Sequence, residues 1–135
     1  MGNFQALVVE DDINLANIFA IVLGAQGWEV QVVHYGDEAL EQIGATHPHL
    51  VVLDVNLPYV SGTEILREIR ANSDLAATKV IIATANARAA EQITEEGLAD
   101  IVLNKPLRVQ DIIAFSQRLM GNAAANQVPV IDGDL

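Results

Sequence analysis

A chain of 135 residues, 51% hydrophobic and 19% charged, has the length and apolar content of one ordinary domain with a buried core, not of a disordered polypeptide. Its 18 acids against 7 bases give a formal net charge of -11, which argues against general binding to nucleic-acid phosphates, because that needs a basic surface. With no cysteine, a disulfide scaffold, a thiolate zinc site and a cysteine nucleophile are all excluded.

The first apolar run, Leu7-Val8-Val9, reads as a strand and ends in Glu10-Asp11-Asp12, where Asp12 suits the cap of a following helix. In that helix Leu15, Ile18, Phe19, Val22 and Leu23 recur at the spacing of one helical face, and Gly24 and Gly27 mark its end. Ile18 to Leu23 is the longest apolar stretch of the chain, far short of the roughly 20 residues that span a bilayer. The start carries no basic, apolar signal sequence and lacks the Ser or Thr of a myristoylation motif. The reading is a soluble chain with no membrane partner and the cytoplasm as its default compartment.

Val30 to Val33 alternates in part and fits a half-exposed edge strand, after which Asp37 is placed to cap a helix carrying Leu40 and Ile43. Leu50 to Leu53 is a continuous apolar run, as expected of a strand covered on both faces. Ser61-Gly62-Thr63-Glu64 reads as a capping box ahead of Ile65, Leu66 and Ile69. Val80 to Ala83 is a fourth strand, followed by a helix over Ala87 to Glu96 that offers mainly alanine and Ile93 to a core and is the most weakly anchored. Ile101 to Leu103 is the fifth strand, and a last helix beyond Pro106 carries Val109, Ile112, Ile113 and Leu119. From Gly121 to Leu135 the composition changes to that of a flexible tail or the start of a linker.

Strand and helix alternate five times, which specifies an α/β domain with a mostly parallel sheet and right-handed crossovers. Ligands of such folds sit beyond the carboxyl ends of the strands. Four of those ends carry polar groups: Glu10-Asp11-Asp12, then Asp54, then Thr84-Ala85-Asn86, then Asn104-Lys105-Pro106. Three carboxylates drawn to one edge repel one another unless a cation intervenes. Oxygen donors without His or Cys suit a hard ion, Mg2+ or alternatively Mn2+. Carboxylates, such an ion, a lysine and a hydroxyl together make a phosphoryl-binding set, with one carboxylate as the nucleophile.

These motifs carry a family resemblance. Val8-Val9-Glu10-Asp11-Asp12, Leu53-Asp54-Val55-Asn56-Leu57-Pro58 with Gly62, Ala83-Thr84-Ala85 and Lys105-Pro106 occur in order, each after a predicted strand. Over about residues 5 to 120 the chain resembles the receiver domain of two-component response regulators. The resemblance implies a flavodoxin-like (βα)5 three-layer sandwich with a five-stranded parallel sheet in the order 2-1-3-4-5, a receiver domain over 1–120 and a tail over 121–135. It implies Asp54 as phosphoacceptor, with Glu10, Asp11, Asp54 and the backbone carbonyl of Asn56 holding Mg2+. Thr84 and the amide of Ala85 bind the phosphoryl oxygens, and Lys105, before a cis proline, pairs with Asp54 and then with its phosphoryl group. The implied partners are a histidine kinase or phosphotransfer protein and a downstream protein or output domain. A homodimer through the fourth helix, fifth strand and fifth helix is a further arrangement. Such a domain is a signalling switch and not an enzyme, catalysing only its own phosphorylation and dephosphorylation.

Two rival readings remain on the sequence. A Mg2+-dependent aspartyl-phosphate phosphatase wants a second acid two residues after the nucleophile, where Asn56 stands. A phosphorylation-independent interaction module is motivated by Val102, which occupies the position where many receiver domains carry a switching Tyr or Phe. Asn56 and Asn86 take the two positions that tune the access of water in such domains. His34, His47 and His49 read as solvated loop residues, Lys79 as a surface charge at the far end of the sheet, and Trp28 and Tyr35 as packing near the edge strand.

Overall fold

The computed structural model describes residues 4–124. Five strands, β1 (Gln5–Val9), β2 (Glu29–Val33), β3 (Leu50–Leu53), β4 (Lys79–Thr84) and β5 (Ile101–Asn104), alternate with α1 (Ile13–Ala25), α2 (Gly36–Thr46), α3 (Gly62–Ala71), α4 (Ala87–Glu96) and α5 (Val109–Ala124). All neighbouring strands pair in parallel, in the order β2-β1-β3-β4-β5. This is the flavodoxin-like order that the family resemblance implies. Among the described residues no helix is long and apolar enough to cross a membrane.

The alternation of side chains along each strand divides the core into two layers. Leu7, Val9, Val51, Leu53, Val80 and Ile82 face one side and pack with Ala39 and Ile43 of α2, Ile65, Leu66 and Ile69 of α3, and Ile93 of α4. Ala6, Val8, Leu50, Val52, Ile81 and Ala83 face the other, against Ala16, Phe19 and Leu23 of α1 and Ile112 of α5. Strand β3 is buried along its whole length, whereas β2 and β5, at the two edges, are only half-covered.

Several local expectations need correction. Ile18 does not join the core stripe of α1: it is 44% exposed, and the inward row is Ala16, Phe19 and Leu23. Asp37 does not cap α2, which starts one residue earlier behind Tyr35 without a side-chain cap. Asp12 does cap α1, accepting the Leu15 amide at 3.1 Å, and Ser61 caps α3 through the Glu64 amide at 3.3 Å. Helix α5 runs on to Ala124, so residues 121–124, expected in the tail, are helical. The remainder of that tail lies outside the described residues.

Trp28 is buried with Phe4 edge-on at 5.6 Å, but Tyr35 is 45% exposed and meets Tyr59, their ring centroids 5.8 Å apart. Lys79 does lie at the far end of β4, where its ammonium is 4.0 Å from Asp100. The same Asp100 carboxylate accepts Arg70 at 2.9 Å and the Val80 amide at 2.8 Å, while Arg70 also donates to the carbonyls of Leu98 and Thr78. One guanidinium thus fastens the end of α3 to the start of β4 and to the turn before β5.

Candidate functional site at the carboxyl edge of the sheet

The register of the sheet assembles the site. Val9 pairs with Leu53, so the next residue on each strand, Glu10 and Asp54, emerges beside the other. Backbone bonds hold both in place, from the Asp54 amide to the Val9 carbonyl and from the Glu10 amide to the Val33 carbonyl, each 3.1 Å. Farther along the edge Thr84 pairs with Asn104, and the Lys105 amide donates to the Thr84 carbonyl at 2.9 Å. The Lys105-Pro106 bond is cis.

Lys105 reaches back across the edge, its Nζ donating to Glu10 Oε1 at 2.8 Å and to Asp54 Oδ2 at 3.1 Å. The second oxygen of each carboxylate takes a backbone amide: Glu10 Oε2 from Asp12 at 3.2 Å, Asp54 Oδ1 from Asn56 at 3.3 Å. Glu10 and Asp54 are buried, at 2% and 6% exposure, and Asp11 is exposed. One carboxylate oxygen from each of these three acids lies within 4.8 Å of the others.

Burial pushes the Glu10 carboxyl above its ordinary pKa and the Asp54 charge adds to this, while the bonds from Lys105 and the Asp12 amide offset only part. For Lys105 burial works against the charge, but the hydrogen bonds to Glu10 and Asp54, with their charges, outweigh it and raise its pKa. One ammonium against three carboxylates leaves an excess of negative charge on oxygen donors. That donor set, with Asp11 open to solvent, fits a hard divalent cation that keeps part of its hydration.

Helix α3 is pressed onto the backbone of this edge. The Gly62 amide donates to the Val55 carbonyl at 2.9 Å, and a Cβ at Gly62 would stand 2.0 Å from the Asp54 carbonyl oxygen. Only glycine permits that approach.

Not every residue singled out in the sequence meets the carboxylates. Thr84 is fully buried, and its hydroxyl accepts the Asn86 amide at 3.1 Å. Asn86 in turn caps α4, its side chain accepting the Ala89 amide at 3.0 Å. Ala85 and the Asn56 side chain are exposed at the edge.

Of the three histidines read as solvated loop residues, His34 departs from that reading. It is half-buried, and its Nδ1–H donates to the Glu10 carbonyl at 2.8 Å, which ties the end of β2 to the site. The signal for it is the pairing of Val33 with Val9, visible only once the strand order is known. His49 is also engaged, its Nδ1 accepting the Gln5 amide at 3.0 Å.

Two buried acids bridged by a lysine, with a third acid beside them, stand at the carboxyl edge of a 2-1-3-4-5 sheet. Residues 6–117 match the response regulator receiver domain family, and the chain belongs to it. It is 33% identical over 128 residues to the transcriptional regulatory protein TrcR of Mycobacterium tuberculosis, covering 93% of this chain and 48% of that protein. It is 32% identical over 112 residues to the DNA-binding response regulator MtrA of Mycolicibacterium paratuberculosis, covering 82% of this chain and 48% of that protein. The chain therefore spans about half the length of these curated relatives. Among solved structures, the receiver domain of the sensor histidine kinase PA1611 from Pseudomonas aeruginosa, with a magnesium ion in its active-site cleft, superposes with a TM-score of 0.79 at 25% identity, over 89% of this chain and 99% of that one.

Proposed function

We propose that this receiver domain accepts a phosphoryl group on Asp54 from the phosphohistidine of a partner histidine kinase or phosphotransfer protein, and that the acyl phosphate switches its protein contacts. The observation that carries the reading is the double hydrogen bond from Lys105 to Asp54 and Glu10. It fixes two buried carboxylates beside a positive charge, with the exposed Asp11 carboxylate within 4.8 Å to complete an acidic trio.

In the transfer an Asp54 oxygen attacks phosphorus. The P–N bond breaks with its electrons going to the imidazole nitrogen, which takes a proton, and the aspartyl O–P bond forms. Lys105 orients Asp54 before attack, then faces the new phosphoryl charge. Glu10, Asp11, Asp54 and the Asn56 carbonyl would hold Mg2+ or Mn2+, which when bound neutralises phosphoryl charge. The Thr84 hydroxyl and the Ala85 amide supply donors to the phosphoryl oxygens, and attack by water later resets the switch. Asn56, a neutral amide where a phosphatase needs its second acid, supports self-limited chemistry over turnover of free phosphate esters.

The length of TrcR and MtrA beyond the shared region supports a downstream output segment as the receiver of the signal. Any contact with nucleic acid belongs to such a segment and not to this acidic domain, and the setting is cytoplasmic. The test is incubation with Mg2+ and acetyl phosphate or phosphoramidate, followed by intact mass. One added phosphoryl group, absent from Asp54→Asn and from the metal-free control, is the expected result. No adduct would favour a module that works without phosphorylation, and rapid turnover of a phosphate ester would favour a phosphatase.

A further inference from the structure

Pairing of β1 with β2 closes at Val9 and Val33, and Glu10 is the next residue of the chain. Its amide still donates to the Val33 carbonyl at 3.1 Å. Its carbonyl lies past the last pair, in a residue only 2% exposed, and takes its donor from the His34 ring, with Nδ1 standing 2.8 Å away. A carbonyl oxygen can only accept, so Nδ1 carries a proton, and in the neutral ring Nε2 does not. The segment bearing His34 is held in turn by the loop that follows Asp54. The Gly36 amide donates to the Pro58 carbonyl at 3.3 Å, a Cβ on Gly36 would stand 2.1 Å from the Val60 carbonyl oxygen, and Tyr35 meets Tyr59 edge-on. Residues 33–36 therefore touch both stretches that bring oxygen donors to the edge, the one with Glu10 and Asp11 and the one with Asp54 and Asn56.

We propose that His34 is a positioning residue for a divalent cation: by gripping the Glu10 carbonyl, it sets the direction in which the Glu10 carboxylate leaves the backbone. The proposal rests on the reading of Glu10, Asp11 and Asp54 as the cation site. Backbone beyond the last pair of a ladder is free to turn, and a small rotation at the Glu10 Cα is magnified at the far end of so long a side chain. A rotation that displaces Oε1 also breaks its 2.8 Å bond to Lys105, the same ammonium that holds Asp54. One hydrogen bond to the main chain thus bears on both buried acids. Groups that orient metal ligands in this way, without being ligands themselves, are worth about tenfold or more in metal affinity. A bond that served only to satisfy a buried carbonyl would contribute stability instead and leave affinity unchanged.

The test is equilibrium binding of Mn2+, read by electron paramagnetic resonance of the free ion, and of Mg2+, read by its displacement of Mn2+; neither needs phosphorylation. In His34→Ala, where a water can reach the freed carbonyl, both affinities should fall about tenfold while the far-ultraviolet circular dichroism stays that of the parent. His34→Asn should restore most of the loss, because its side-chain amide donates from nearly the place of Nδ1. In the parent, nitrogen-15 spectra of the imidazole should show the neutral ring with its proton on Nδ1. A proton on Nε2 overturns the proposal. So does a His34→Ala domain that is less stable yet binds Mn2+ like the parent, and so does a loss of affinity that His34→Asn leaves unrepaired. A parent that binds neither ion overturns it together with the cation-site reading, whereas a parent that binds both, beside an unchanged His34→Ala, overturns this inference alone.

Discussion

Gly62 and Gly44 are both helical glycines, and the same substitution at each should act in opposite directions. At Gly44, within α2, a Cβ meets nothing within 4 Å, so alanine there removes only the conformational freedom of glycine and should stabilise by up to about 1 kcal/mol. At Gly62 the Cβ would lie 2.0 Å from the Asp54 carbonyl oxygen and 2.8 Å from the Val55 Cα, far inside the 3.4 Å at which ordinary contact begins. Both obstacles are backbone, so relief requires moving α3 away from the strand end. Overpacking of this kind costs about 1–3 kcal/mol, and separation also strains the Gly62–Val55 hydrogen bond, worth about 1 kcal/mol. The net loss should be about 2–4 kcal/mol, a fall in melting temperature of roughly 10 °C for a domain of this size. Urea titrations of the two variants and the parent, at equal m-values, give the comparison, and intact-mass phosphorylation reports whether the displaced Asp54 backbone slows the proposed transfer. If Gly62→Ala stays within about 0.5 kcal/mol of the parent, or Gly44→Ala loses as much as Gly62→Ala, the steric argument is wrong.

The charge cluster and the Arg70 clamp yield further expectations. Because burial raises the Glu10 pKa above its ordinary 4.5, its contribution to stability is whole below that value and is lost as pH rises through the folded value. Lys105, raised above 10.5, contributes constantly over the same window. Without divalent ions, Glu10→Gln should therefore gain on the parent as pH rises from 4.5 through the raised folded value; a gap that does not change with pH contradicts the assignment. Mg2+ at ten times its dissociation constant should stabilise the parent by about 1.4 kcal/mol, roughly 5 °C, with a smaller shift in Asp11→Asn and Asp54→Asn. Equal shifts in all three would place the ion elsewhere. Arg70→Lys should cost about 2 kcal/mol, since an ammonium cannot serve Leu98, Thr78 and Asp100 together, and should speed hydrogen exchange at the Val80 amide, whose acceptor is Asp100. Unchanged protection at Val80 would remove Arg70 from that role.

The strands were legible because a parallel sheet buried on both faces demands continuous runs such as Leu50 to Leu53, and the half-covered edge showed in the alternation of Val30 to Val33. The acidic trio and Lys105 were legible because each follows such a run. What the sequence concealed depends on side-chain choice or on contacts between distant segments. Ile18 matches helical spacing as well as Phe19 does, and only the angle at which α1 meets the sheet separates the buried row from the exposed one. The bond from His34 to the Glu10 backbone and the grip of Arg70 on three segments join residues far apart in the chain. Glycine in a capping box reads as helix chemistry; that Gly62 is needed for contact with Asp54 is a fact of packing.

The absence of an aromatic at Val102 changes how a signal at Asp54 would leave the site. Val102 is half-buried against the core layer that includes Ile93 of α4, and a branched aliphatic has no ring to swing between inside and outside. A second connection to α4 is built into the backbone. The Thr84 hydroxyl accepts the Asn86 amide, and Asn86 caps α4 through the Ala89 amide, while its carbonyl accepts Ala90 at 3.0 Å. The first turn of α4 therefore hangs on a residue two positions beyond the hydroxyl that the proposed phosphoryl group recruits. Rotating Thr84 toward the acyl phosphate frees the Asn86 amide, at a cost of about 1 kcal/mol, comparable with the worth of a helix cap. The inward anchors of α4 are Ala90 and Ile93, one of them a single methyl group, so a perturbation of that size is large against its own packing. In this domain the coupling would run through the cap of α4, and Val102 would serve as fixed packing beneath it.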